Sequence, residues 1–243
     1  MKKIKNILFV VVILLLIGVM FVSVILYLKD KKQDRQEQIV FDELIDIVDN
    51  QNEDNTSNID NYSALFEMNT DMIGWIKIED TNIDYPVMQT KNKPNYYLRR
   101  NFYKEYSYYG TPYMQENCDI NKSDNLIIYG HHIKNNQMFG ILEKYKSKDF
   151  YNDHRIIKFI TKDKILEYEI IYIFKTSASN GFDYYKYIDF NDVSEFNTFT
   201  NKCKELAFYN TETESNYGDK YLTLSTCEYS IKNGRFVVIA KKL

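Results

Sequence analysis

Residues 7–28 carry no charged side chain, and only Gly18, Ser23 and Tyr27 interrupt their aliphatic and aromatic residues. Crossing the hydrocarbon layer of a bilayer takes about 20 apolar residues in a helix. A helix also satisfies its own backbone hydrogen bonds, as lipid demands. The run is read as a membrane-spanning helix, with residues 1–6 as a tail before it. The rival is a cleavable signal peptide, whose apolar core runs roughly 7 to 15 residues before a small-residue cleavage site. Here Lys29-Asp30-Lys31-Lys32 follows instead. Lys2, Lys3 and Lys5 on one side face Lys29, Lys31, Lys32 and Arg35 on the other, so charge alone does not set the orientation.

Residues 29–61 are charged and rich in Asn and Asp, except that Ile39, Val40, Leu44, Ile45 and Val48 recur at helical spacing. They read as a stalk with one amphipathic helix. A second short helix is expected over 62–68, ending at Asn69 to Asp71. From Gly74 onward, short runs rich in Ile, Val, Tyr and Phe alternate with turn residues, the pattern of an antiparallel barrel or sandwich. Eight strands are expected, over 74–79, 83–89, 111–115, 125–131, 155–161, 165–176, 221–227 and 235–242. The long gap between the sixth and seventh needs structure of its own. Asp192-Val193-Ser194-Glu195 has the form of a capping box, and Val193, Phe196, Phe199, Cys203 and Leu206 then share a face, predicting a helix over 192–208.

A formal net charge of -3 leaves no basic surplus for neutralising phosphates, which argues against a nucleic-acid partner. The 22 tyrosines accompany a general bias toward Lys, Asn and Ile and carry no functional argument. Three cysteines, Cys118, Cys203 and Cys227, fit neither a disulfide framework nor a zinc-knuckle spacing. At least one thiol is free, and Cys203, on the apolar helical face, reads as core.

Tyr221-Leu222-Thr223-Leu224-Ser225-Thr226-Cys227 alternates as a half-buried strand, with Leu222 and Leu224 on one face and Thr223, Ser225 and Cys227 on the other. Asn233-Gly234 suits a turn, so a hairpin sets Arg235 across from Cys227. The chain has only five arginines. A guanidinium beside a sulfur favours the thiolate or donates to an oxyanion; the plain alternative is a surface Arg at a strand end. Asn125-Leu126-Ile127-Ile128-Tyr129-Gly130-His131-His132 reads as a buried strand running out into two of the three histidines. Neighbouring positions at a strand end point apart and no further ligand stands at a customary spacing, which weighs against a metal site. An imidazole near a thiol serves as general acid and base, but the local pattern does not say whether His131 meets Cys227.

Thr223-Leu224-Ser225-Thr226-Cys227, Tyr129-Gly130-His131 and Arg235, in that family's order and spacing, resemble the sortase signature. Gly74-Trp75-Ile76, Ile83-Asp84-Tyr85-Pro86-Val87 and Met138-Phe139-Gly140 are similar to sortase stretches too, so the resemblance runs from about Leu65 to Leu243. The early helices and the helix between strands six and seven resemble class B, the membrane-anchored cysteine transpeptidases of Gram-positive bacteria. The resemblance implies an eight-stranded sortase barrel over 62–243 and an anchor with its N-terminus inside and the catalytic domain outside.

The implied activity is cleavage of an (N/S/P)PxTx-like C-terminal sorting signal of a surface protein after Thr, through a thioacyl intermediate. The acyl group then passes to an amine of a peptidoglycan precursor, with no metal or organic cofactor. Cys227 is the implied nucleophile, His131 the acid/base and Arg235 the stabiliser of the oxyanion or substrate carbonyl. Many sortases have Thr or Asn where this chain has His132, which leaves His132 as a substrate contact or a bystander. Ser225 and Leu98 are expected substrate contacts. The alternatives are a thiol hydrolase with the same three residues and a non-catalytic, membrane-tethered binding module.

Overall fold

A computed structural model of the protein describes residues 2–50 and 58–243, and the part of the stalk expected over 51–57 lies outside them. The chain divides into two units, Met1–Glu43 and Leu44–Leu243. The first is helical, formed by helix α1 (Lys2–Asn50). Its apolar window is long enough to cross a membrane and is not buried by protein. The amphipathic segment of the stalk continues the same helix, and in the second unit Leu44 and Val48 are buried.

The second unit opens with a 3-10 turn (Ile59–Tyr62) and helix α2 (Ser63–Met68). Eight strands follow: β1 (Met72–Lys77), β2 (Asp84–Met88), β3 (Tyr113–Met114), β4 (Asn125–Tyr129), β5 (Ile156–Ile160), β6 (Ile165–Ser177), β7 (Tyr221–Glu228) and β8 (Gly234–Lys242). They close into a barrel in the order β1-β2-β3-β4-β7-β8-β6-β5. Closure pairs β1 with β5, so the ends of the series are not left as open edges, the usual hazard of antiparallel architectures. Two contacts are parallel, β2 with β3 and β4 with β7. The second of these places the ends of β4 and β7 side by side, with Tyr129 level with Ser225.

All eight expected strands are present, with two boundary corrections that matter. The third spans Tyr113–Met114 rather than 111–115, and the fourth stops at Tyr129, leaving His131 and His132 beyond the sheet. The chain turns out there in a bridge between His132 and Met138. Helix α4 (Val193–Leu206) lies where the capping box predicts: Asp192 accepts from the Glu195 amide at 2.8 Å, while the Glu195 carboxylate accepts from the Asn191 amide at 2.9 Å. Phe196, Phe199 and Cys203 are buried on its inner face. The sequence reading omits helix α3 (Lys148–Asp153) and the 3-10 segment Phe139–Lys146 before it, which bury Ile141, Leu142 and Tyr145.

The expectation of a half-buried seventh strand is also corrected: residues 221–226 are buried on both faces. The polar face is covered by the segment after β6. The Asn125 amide groups donate to the Tyr187 and Ile188 carbonyls, and Thr223 Oγ1 donates to Asn125 Oδ1 at 2.8 Å. Buried hydroxyls and amides are tolerated because they are paired.

Candidate active site

Strand β7 lies between β4 and β8 and presents Cys227 one residue before its end. Across the hairpin, Cys227 and Arg235 are direct partners. The loop between them is folded back by Glu228, whose carboxylate accepts the amides of Ser230 at 3.0 Å and Ile231 at 3.3 Å. Lys175 Nζ stands 3.5 Å from that carboxylate, whose side chain is 2% exposed. Asn233 supplies the left-handed turn residue (φ 54°), and Gly234 approaches the Glu228 carbonyl so closely that a Cβ there would sit 2.4 Å from it.

Arg235 donates to the Gly234 carbonyl at 2.9 Å. Among the described residues no carboxylate lies within ion-pairing distance of it, and it lines the same groove as Cys227. His131 is half-buried, and its Nε2 lies 2.8 Å from the Leu98 carbonyl. A carbonyl only accepts, so Nε2 carries the proton and Nδ1 is left to exchange one. Burial lowers the imidazole pKa below 6.5; the Arg99 charge adds to this, and the Leu98 hydrogen bond opposes it. At neutral pH the ring is therefore uncharged.

Cys227, His131 and Arg235 all line one groove of about 920 Å³, along with Leu98 and Ser225. The structure thus brings together the expected site residues from strand ends far apart in sequence. Leu98, 38% exposed in the 3-10 turn Tyr96–Arg99, contributes its carbonyl to His131 and lines the groove. Ser225 is 1% exposed, and its hydroxyl is bonded to the Tyr184 hydroxyl at 2.5 Å. Burial pushes the Tyr184 phenol up to about 12, so it stays protonated as a hydrogen-bonding group.

The sequence reading misses Tyr184, Tyr113, Asn95 and Glu116 in the groove wall. Tyr113 Oη donates to Asn95 Oδ1 at 2.9 Å, and Asn95 takes a left-handed conformation (φ 59°). The αL tolerance of Asn was the available signal for a turn at Asn95. Nothing local marks Tyr184 or Glu116.

Residues 76–243 match the sortase domain family. The chain is 34% identical over 183 residues to sortase B of Staphylococcus aureus, covering 74% of this chain and 73% of that protein. It is equally 34% identical over 187 residues to sortase B of Listeria monocytogenes, covering 75% and 74%. The solved Staphylococcus aureus sortase B–substrate complex superposes with a TM-score of 0.78 at 30% identity, over 87% of this chain and 98% of that one. The chain belongs to the sortase family. Within it the relatives are of class B, and its activity is that of a sortase-type cysteine transpeptidase. Sortases are cell-surface enzymes acting on surface-protein sorting signals and cell-wall precursors.

Proposed function

We propose that Cys227 is the nucleophile, His131 the acid/base and Arg235 the oxyanion donor, in a domain over 62–243 held outside the cell by a single span at 7–28. The observation that carries this reading is the direct pairing of Cys227 with Arg235 at the groove that His131 also lines.

The neutral His131 ring takes the Cys227 thiol proton at Nδ1, and the thiolate attacks the Thr carbonyl carbon of an (N/S/P)PxTx-like signal. The negative charge that develops on the carbonyl oxygen is met by the Arg235 guanidinium, which forms no ion pair among the described residues. The C–N bond breaks as His131 returns its proton to the departing amine, leaving a thioester. An amine of a peptidoglycan precursor then attacks, its proton going to His131, and the C–S bond breaks as His131 passes that proton to the departing sulfur. The products are a new amide and the restored thiol.

The test is mass analysis of a signal peptide incubated with the enzyme, with and without a glycine or diaminopimelate amine. Transfer product that requires Cys227 supports the reading. Free acid alone at saturating amine assigns the hydrolase alternative, and an untouched peptide assigns the binding module.

A further inference from the structure

His132 adjoins the proposed acid/base, yet its ring faces another way. Its Nδ1 lies 3.1 Å from the Cys227 carbonyl oxygen, and its face meets the Tyr229 ring edge-on with centroids 5.2 Å apart.

The register of β4 on β7 explains why a side chain is needed there. The Gly130 amide donates to the Ser225 carbonyl at 3.1 Å. In a parallel ladder such rungs recur every two residues, so the next would run from the amide of residue 132 to the carbonyl of residue 227. At that point the backbone has left the sheet: His131 accepts from the Phe139 amide at 3.0 Å, and His132 bridges to Met138. The imidazole takes the place of the missing rung. Without it the carbonyl of the proposed nucleophile would face a turn with no donor in the ladder.

We propose that His132 is a positioning residue that clamps Cys227 through its main-chain carbonyl. The inference rests on the role proposed for Cys227. His131 is tied to the Leu98 carbonyl and His132 to the Cys227 carbonyl. One dipeptide therefore fixes the distance between the imidazole that moves the proton and the strand that bears the sulfur. Misplacing reacting groups by about 1 Å can cost a hundredfold in rate, whereas substrate binding along the groove is largely indifferent to this rung. The clamp acts on kcat rather than KM.

A carbonyl requires that Nδ1 carry the proton. ¹⁵N spectra of the imidazoles in the full chain should show His132 as the Nδ1–H tautomer; an unprotonated Nδ1 in the neutral ring overturns the clamp, whatever the turnover. The second test uses side-chain geometry. The Asn amide nitrogen occupies the place of the His Nδ1, while that of Gln lies one bond farther out. His132→Ala and His132→Gln should lower kcat about tenfold or more, with KM within about twofold. His132→Asn should recover the rate to within about threefold of the parent.

Equal rates for the Asn, Gln and Ala variants, or a loss confined to KM, overturn the proposal. Cys227→Ala, run alongside, separates the two levels. Turnover that survives it refutes the nucleophile assignment, while the tautomer still decides whether the rung exists.

Discussion

Cys227 and Arg235 occupy one rung of the β7–β8 hairpin, and among the described residues the guanidinium there is bonded only to the main-chain carbonyls of Asn233 and Gly234. An arginine held by its own turn, with no ion pair among the described residues, keeps donors free for a charge that appears only during the reaction. The hydrogen bonds already made fix its planar fork in place.

Arg235→Lys tests that geometry. Lysine keeps the charge but replaces the fork with a flexible point charge. Losing one oxyanion donor typically costs about 10²- to 10³-fold in turnover, and kcat should fall by that order for a peptide substrate. A lysine variant within about threefold of the parent would mean that charge alone suffices and that the fork holds no oxyanion.

His131 gives a pH prediction with a definite sign. Its pKa is held below 6.5 in the folded protein by burial, with Arg99 adding to the effect, and lies near 6.5 in the unfolded chain. The unfolded state therefore takes up the proton first as pH falls. The associated stability is complete above 6.5 and is lost on the way down through the folded value. kcat/KM should share that acid limb, with a midpoint below 6.5, because the neutral ring is the form that accepts the thiol proton. His131→Asn should remove the limb from the stability profile and lower turnover by about 10²- to 10⁴-fold. An activity midpoint above 6.5 contradicts the assignment.

Glu228 gives a stability prediction. Burial raises its pKa, but the Ser230 and Ile231 hydrogen bonds and Lys175 outweigh that and hold it below 4.5. Its contribution is present above pH 4.5 and disappears as the pH falls through the lower folded value. Glu228→Ala strips two amides of their acceptor and leaves Lys175 without its partner. A loss of about 1 to 3 kcal/mol is expected in denaturant unfolding, together with increased protease sensitivity across 229–233. Unchanged stability would show that the loop is held by other contacts.

The strand order was only partly legible in the sequence. Periodicity marks β7 and the hairpin that pairs Cys227 with Arg235, because turn and register are local. The β4–β7 contact joins residues about a hundred positions apart, and no local pattern encodes it. Only resemblance to sortases put His131 beside Cys227. For the same reason the burial of Thr223 and Ser225, placed by the sequence on the polar face of a half-buried strand, is not legible locally: alternation reports polarity, and the segment at 184–190 that covers this face lies in a stretch with no strand period. Helix α3 was missed because its six residues are too few for a periodic signal, although Ser147 caps it through the Phe150 amide. Leu98 illustrates a further gap, since its carbonyl fixes His131 and a backbone atom leaves no mark in residue type.

The three thiols are free and differ in environment, so one reagent should tell them apart. Cys118 is fully buried, and burial pushes its thiol up to about 11; Cys203, equally buried on the inner face of α4, is raised well above its ordinary value. At pH 8 a thiol of pKa 11 is thiolate in roughly one molecule per thousand, and the thiolate is the form that is alkylated. Cys227 is half-buried at the groove opposite Arg235. Iodoacetamide should therefore label the folded protein once, at Cys227, with loss of peptide cleavage in step with labelling, and should reach all three cysteines only after denaturation. Cys118→Ser and Cys203→Ala should keep most activity, the latter at some cost in stability for the cavity it opens. Comparable labelling of Cys118 or Cys203 in the folded state would contradict their burial. Complete labelling of Cys227 with cleavage intact would remove it as the nucleophile.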